Sequence, residues 1–199
     1  MQNNDYTQMW LRDLIERLGE TEVQKILSTF ECPLNLDIEN FIKNTAITFT
    51  KNQLAPTCLV FIRQDDKPIL LGYYTLTVKT LNLESMNISK TLAKKVSKFA
   101  TYNEELKTYS VPSPLIAQLG KNYHNGYNKL IAGDELLQMA CNKVSEVQKF
   151  IGGKTVYLEC ENHTNLLNFY KDNGFIEFGT RSRQENRDDK ELIRLLKYL

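Results

Sequence analysis

The chain has little of what metal sites and disulfide frameworks are built from. Its 199 residues hold two histidines and four cysteines. His124 and His163 each sit in a loop, without the i,i+4 or cysteine-paired spacing of a zinc site. Cys32, Cys58, Cys141 and Cys160 are scattered, with no Cys-x-x-Cys pair, and read as buried, reduced thiols rather than redox or metal groups. No metal is expected. No apolar run approaches the roughly 18 residues of a membrane-spanning helix, and residues 1–5 lack the basic and apolar regions of a signal peptide. A cytoplasmic protein without a membrane partner is therefore expected. A net charge of +1 gives no global pull toward nucleic acid. Repeats and low-complexity linkers are absent, and ordinary charged and apolar fractions exclude disorder. The length fits a single domain over residues 1–199, large enough to bury a substantial core.

What is present is an alternation of two periodicities. Trp10, Leu11, Leu14, Ile15 and Leu18, then Val23, Ile26, Leu27 and Phe30, follow helical spacing, with Gly19 as a break. Residues 1–30 thus read as a helical extension. Asn35 to Phe49 repeats the pattern through Ile38, Phe41, Ile42, Ala46 and Phe49. Thr57 to Ile62 and Ile69 to Val78 read as strands of a hairpin around Gln64-Asp-Asp-Lys67. Ser89 to Phe99 reads as a helix with Ile88, Leu92 and Val96 on one stripe. Its Lys90, Lys94, Lys95 and Lys98 form either a solvated face or a contact surface for RNA or an acidic partner. Ala100 to Ser110 reads as a polar connection.

The segment from Ser113 to Phe178 carries the chemistry. A buried strand (Pro114 to Gly120) leads through a polar loop into a helix over Gly133 to Ile151, with Leu136, Leu137, Ala140, Val144, Val147 and Ile151 inward. Gly152-Gly153 forms a left-handed stop. A second buried strand (Thr155 to Cys160) is followed by a short helix with Asn168-Phe-Tyr-Lys-Asp-Asn-Gly-Phe175. Phe175 to Thr180 and Leu192 to Leu199 read as final strands around a charged turn, Arg181 to Glu191. This order describes a mixed α/β fold: a central mixed sheet flanked by helices, with extra N-terminal helices.

A helix beginning at Gly133 leaves its first amides unpaired, and these, with the helix dipole, suit a phosphate as readily as they make a plain turn. Asp134 stabilises the same helix end and repels an anion. Tyr170 is the second element. Its phenol, with an ordinary pKa of about 10, stays protonated at neutral pH and can give its proton to a thiolate. Phe169 beside it reads as the core residue, which turns Tyr170 about 100° around the helix toward another surface.

Together these residues resemble the GNAT superfamily of acyl-CoA-dependent N-acyltransferases, over about residues 35–180. Asn168 to Phe175 is similar to that family's F-Y-x-x-x-G-F signature. Leu119 to Leu137 resembles its Q/R-x-x-G-x-G/A acyl-CoA motif, with Asn128 at the Q/R position, Ile131 at the first glycine and Gly133 at the second. Two of the three positions depart from the pattern. The resemblance implies a sheet whose fourth and fifth strands splay to admit acetyl-CoA. Leu119, Gly120 and Lys121 would meet the pantetheine arm. Asn128, Lys129, Leu130, Ile131, Ala132, Gly133 and Asp134 would wrap the pyrophosphate. Tyr170 would be the general acid in transfer of an acetyl group to a primary amine, without a covalent enzyme intermediate. Glu159 is a candidate base if it faces the cleft. The acceptor stays open between a small molecule, a protein amine and aminoacyl-tRNA, to which Arg181, Arg183 and Arg187 could also contribute. A homodimer is a further expectation. The alternative to an enzyme is a GNAT-fold module that binds CoA or a partner without useful turnover.

Overall fold

The computed structural model of the chain describes residues 5–185 and 188–199, with the backbone alone at 183–185 and 188–190. Residues 1–4 and Arg187, both used in the sequence reading, lie outside the described residues, as does the Arg183 side chain. The strands form a mixed sheet of eight. The chain divides into two units: residues 1–77 with 116–140, and residues 78–115 with 141–199.

In the first unit, β1 (Thr7–Trp10) pairs antiparallel with β2 (Thr57–Gln64), which pairs antiparallel with β3 (Lys67–Glu84). The β2–β3 turn places Asp65 and Asp66 at φ 48° and 59°. Two left-handed central residues match the twist of the flanking strands, and aspartate tolerates that conformation. Strand β1 was not expected. Trp10 and Leu11 continue one helical spacing across a true boundary: Trp10 ends the strand at φ −68° and ψ 136°, and α1 (Leu11–Leu18) starts after it. Gly19, at φ 79°, separates α1 from α2 (Glu20–Ser28), as the sequence indicated. Asn35 caps α3 (Leu36–Asn40) by accepting from the Asp37 and Ile38 amides. The helix continues through a π turn (Phe41–Thr45) into α4 (Ala46–Lys51). Leu11, Val23, Leu27, Phe30, Ile42 and Leu59 are fully buried together.

The same unit takes in the end of β5 (Thr108–Lys121), whose neighbour there is β3. Backbones approach closely at this point. A β-carbon on Gly72 would lie 2.8 Å from the Gly120 carbonyl oxygen, and one on Gly120 would collide with Cγ2 of Ile38. Asn122 closes the strand. Its amide donates to Leu71 O (2.7 Å) and its side-chain NH2 to Leu70 O (2.9 Å). Its side-chain oxygen accepts from the amides of Glu31 (3.0 Å) and His124 (3.1 Å). At 1% exposure, every one of these polar groups depends on the others.

The second unit contains the rest of β3, α5 (Lys90–Val96), β4 (Thr101–Asn103), the first part of β5, β6 (Thr155–Glu161), α7 (Thr164–Asp172), β7 (Ile176–Glu185) and β8 (Asp188–Tyr198). Residues 100–110 are thus not a plain connection: β4 and β5 form an antiparallel pair, with Tyr102 facing Tyr109. The charged turn is likewise shorter than expected, because β7 and β8 pair from Ile176↔Leu196 out to Glu185↔Asp188. Order continues as β5-β6-β8-β7, with β5–β6 parallel and the other pairs antiparallel. Ser89 caps α5 through the Leu92 amide (3.2 Å), and Leu92 and Val96 enter a core with Leu81, Tyr157, Phe178 and Leu196. Helix α6 (Gly133–Ile151) belongs in part to each unit and ends at Gly152 and Gly153, both left-handed. Its inward stripe is Leu136, Leu137, Ala140, Cys141, Val144 and Gln148. Val147 and Ile151, expected inside, are 45% and 68% exposed. The polar Gln148 takes the inward position because its side-chain NH2 donates to Thr155 O at 2.7 Å.

Replacing Asn122 by alanine strands two amides and the Leu70 carbonyl in a dry site. We expect a loss of about 2–4 kcal/mol of unfolding free energy, read from denaturant midpoints at unchanged m-value.

Candidate acyl-transfer site

The loop from β5 to α6 is built around Lys121. Its ammonium donates to the carbonyl oxygens of Asn128 (3.0 Å) and Ile131 (3.2 Å). Within the loop the Gly126 and Leu130 amides donate to the Tyr123 and Tyr127 carbonyls. His124–Lys129 forms a short 3-10 segment interrupted by Asn125 and Gly126, both left-handed. Ile131, at the motif's first glycine position, is 2% exposed and serves as a core residue. Asn128 and Gly133 are half-buried, while Lys129, Ala132 and Asp134 are exposed and Leu130 is 36% exposed.

The helix start has an anion of its own. The Ala132 amide donates to the Glu135 carboxylate at 2.9 Å, and the Tyr6 hydroxyl lies 3.0 Å from the same oxygen and 3.0 Å from Leu130 O. A glutamate three residues beyond the cap reaching back to the cap amide is half of a capping box. The sequence reading placed the competing carboxylate on Asp134; Glu135 holds that position. The helical amides of Gly133, Asp134 and Glu135 have no intrahelical partner.

Strand β5 contributes differently at its two ends. It pairs in parallel with β6 at a single register position, Leu115↔Tyr157. β5 neighbours β3 in the sheet, and its residues 116–121, which include Leu119, Gly120 and Lys121, belong to the first unit. Among the described residues β5 meets β6 only at Leu115, and extended backbone beyond such a contact offers N–H and C=O groups to a linear ligand. A separate cavity of about 480 Å3 in that unit is lined by residues including Leu18, Ile26, Asn122, His124 and Tyr127; none of the predicted site residues lines it.

In the second unit, the α7 assignment of the two aromatics is reversed. Tyr170 is the core residue, at 8% exposure, and Phe169 is half-buried. Phe169 and Phe175 stand edge-on to the Tyr170 ring, with centroids 5.0 and 5.8 Å away. The expected stop is present: Gly174 is left-handed at φ 83°, and the Phe175 amide donates to Tyr170 O. Burial pushes the Tyr170 phenol well above its ordinary range, with the neighbouring Cys160 adding to the rise. Its hydroxyl forms no hydrogen bond among the described residues, yet is not one of the fully buried unpartnered atoms, which are Thr50 Oγ1 and Arg194 Nε.

Glu159, the candidate base, is engaged elsewhere. Its two oxygens lie 2.9 Å from Arg181 Nη1 and 3.8 Å from Arg194 Nε. These arginines stand on other strands, and no local spacing announces them. All four cysteines are buried and none is in a disulfide. Burial raises the thiols of Cys32 and Cys141, and that of Cys160 to about 11, so none of these three is a ready thiolate. Among the described residues no three histidine, cysteine or acidic side chains gather as a metal site, and no helix is long and apolar enough to cross a membrane.

The two buried phenols of the second unit make stability pH-dependent. Burial, with the adjacent Glu159 charge, raises Tyr157 to about 12. A phenol whose folded pKa exceeds its unfolded value of about 10 contributes stability that is complete below pH 10 and is lost as pH climbs toward the folded value. The Tyr157→Phe, Tyr170→Phe double variant should therefore show a flatter decline in unfolding free energy between pH 10 and 12 than the parent.

No protein-family model matches the chain, and no curated protein matches it in sequence. Solved structures do. AtaT complexed with acetyl-methionyl-tRNAfMet superposes with a TM-score of 0.64 at 19% identity, covering 95% of this chain and 94% of that one. A tyrosine-to-phenylalanine mutant of KacT gives 0.64 at 19% identity, covering 96% and 94%. A tyrosine-to-phenylalanine mutant of the AtaT toxin, bound to the C-terminus of the antitoxin AtaR and acetyl-CoA, gives 0.59 at 16% identity, covering 98% and 94%. At such identities the likeness concerns the fold alone: a mixed sheet flanked by helices, as the resemblance implied, shared with AtaT and KacT.

Proposed function

We propose that the protein is an N-acetyltransferase that moves the acetyl group of acetyl-CoA to a primary amine. The observation that carries this reading is β5 itself: among the described residues it meets β6 only at Leu115, then runs through Leu119, Gly120 and Lys121 toward the amides of Gly133, Asp134 and Glu135, which have no intrahelical partner. Those groups suit a pantetheine arm and a pyrophosphate. Neither requires the motif's first glycine, since Ile131 turns its side chain into the core. AtaT, which shares the fold, has been crystallised with acetyl-CoA.

When bound, acetyl-CoA supplies the thioester carbon that an acceptor amine attacks. The chain's own residues position and protonate. Lys121 holds the loop carbonyls back, so the amides at the start of α6 are presented. Tyr170 holds a proton that its apolar surroundings make hard to lose, and gives it to the sulfur as the carbon–sulfur bond breaks. The attacking nitrogen releases one proton to solvent as the amide forms, and the phenol takes one back from solvent. Glu159, held by two arginines, is not assigned as the base.

For the acceptor, we favour an amine carried on RNA, as in aminoacyl-tRNA. Among the described residues Lys90, Lys94, Lys95 and Lys98 form no ion pair, whereas Lys25, Lys43, Lys51, Lys107, Lys143 and Lys171 each meet a carboxylate. Three cations on α5 and Lys98 in the turn after it, with Lys95 also over the Tyr198 ring, suit a phosphate backbone. AtaT offers a precedent, having been solved with acetyl-methionyl-tRNAfMet. The non-catalytic alternative has one observation in its favour: Glu135 already occupies the Ala132 amide.

Thiol release from acetyl-CoA with aminoacyl-tRNA as acceptor tests the reading. Tyr170→Phe should lower kcat by about 10²–10⁴-fold and leave CoA binding intact; equal turnover in both proteins removes Tyr170 from the chemistry, and no CoA binding by either removes the enzyme. Changing Lys90, Lys94, Lys95 and Lys98 to glutamine should weaken tRNA binding and make it less sensitive to salt. The slope of log affinity against log salt should fall by up to about one for each phosphate that a lysine no longer neutralises, measured by filter binding across a salt series.

A further inference from the structure

Three strands of the second unit bring charges together on the sheet face that α5 covers in part. On β8, residues 194, 196 and 198 share a face; Leu196 packs with Leu92 and Val96 of α5, and Lys95 lies over the Tyr198 ring at 4.9 Å. Arg194 therefore lies on that face. Directly across from it stand Glu159 on β6 and Gly179 on β7. Phe178, at the β7 irregularity, puts its ring 4.9 Å from the Arg194 guanidinium. A β-carbon on Gly179 would meet nothing within 4 Å, so the row Glu159–Arg194–Gly179 ends in open space.

The carboxylate in this row is contested. Glu159, with 13% of its side chain exposed, lies 2.9 Å from Arg181 and 3.8 Å from Arg194 Nε. The second distance is beyond hydrogen bonding. Arg194 Nε is consequently a buried donor without an acceptor. Leaving a charged donor in that state is unfavourable. Arg181 is the accessible member of the set, half exposed at 50%. If a second oxyanion engages Arg181, Glu159 is released to close on Arg194, and both guanidiniums are satisfied.

We infer that Arg181 and Arg194 form an oxyanion-binding site, with Glu159 as an internal counter-ion shared between them, and that its occupant is a phosphate or carboxylate group on the acceptor. Its assignment to the acceptor rests on the transfer reaction proposed above, whereas the binding itself does not. Arg181 makes the contact, Arg194 takes up the displaced glutamate, and Phe178 fixes the plane of the Arg194 guanidinium.

The arginine Nε–Hε signals of 15N-labelled protein report on this directly, assigned with Arg181→Lys and Arg194→Lys. Adenosine 5′-monophosphate, acetate and sodium chloride at matched ionic strength are titrated separately. The expected result is a saturable shift of both signals, with Arg194 Hε moving downfield as Glu159 closes on it. A response to the nucleotide alone identifies a phosphate site, and a response to acetate alone a carboxylate site. Glu159→Gln removes the competing charge and should tighten binding about tenfold; Arg181→Gln should abolish it. Shifts no larger than those from chloride, or shifts that survive Arg181→Gln, overturn the inference. Acetyl-CoA is titrated into a separate sample. Binding of CoA without any arginine response to the anions defeats the oxyanion site alone. An arginine response in a protein that ignores CoA defeats the acetyl-transfer reading and leaves the site standing.

Discussion

A parallel strand pair with a single register position, Leu115↔Tyr157, is the constraint around which the rest of this structure is arranged. Backbone N–H and C=O groups must find partners, and a ladder that stops after one position leaves the remaining strand to be held by other means. On one edge β3 supplies the ladder, with Gly72 and Gly120 permitting close approach. At the end of the strand Asn122 supplies four hydrogen bonds, reaching the chain on both sides of Leu70–Leu71, at Glu31 and at His124. Tyr73 adds a bond from its hydroxyl to Ile38 O at 2.6 Å, fixing α3 against the same backbone. An unpaired edge is costly unless its surroundings are rigid, and here a buried asparagine and a buried tyrosine provide the rigidity.

The local signals in the sequence were reliable because they depend on local physics. Gly19, the Asp65-Asp66 turn and the Gly152-Gly153 stop each follow from the backbone preferences of a few residues. What failed depends on partners far along the chain. Thr7–Trp10 becomes a strand because β2 lies alongside it, with Trp10 opposite Cys58. Thr101–Asn103 and the start of β5 are short and polar, and pair with each other rather than with an apolar face that composition would reveal. Gln148 displaces Val147 and Ile151 from the inward stripe through one hydrogen bond to Thr155, seven residues on. Periodicity arguments weigh apolar area and cannot see such a bond.

The candidate site was legible to a different degree in each part. Tyr170 stood out by its place in the Asn168–Phe175 motif, but its environment was assigned to Phe169. Both are aromatic and adjacent, so helical phase alone could not order them; the Gly174 turn, which brings Phe175 against the Tyr170 ring, does. Glu135 was overlooked because Asp134 is nearer the helix start, although the cap at Ala132 makes the third residue onward the one that can reach back. The arginines around Glu159 arrive from 22 and 35 residues downstream. Only the antiparallel β6–β8–β7 arrangement puts them there.

Departure from a glycine motif weakens a phosphate site only when the replaced glycine faces the phosphate. A backbone N–H donates in the same way whichever side chain follows it, provided that the side chain is turned away. Ile131 is turned into the core, and the Lys121 ammonium holds the Asn128 and Ile131 carbonyls that would otherwise set negative dipoles near an anion. An isoleucine here thus anchors the loop, a service that glycine cannot perform. The stronger opposition to a phosphate comes from Glu135, because a carboxylate on the cap amide uses one donor and adds a like charge. Glu135 is exposed and tethered by the Tyr6 hydroxyl, so water can take over its interactions when it leaves. The balance at this helix start would therefore be between an exposed, hydrogen-bonded carboxylate and a ligand that brings several oxyanions at once, and the multiplicity of contacts would favour the ligand.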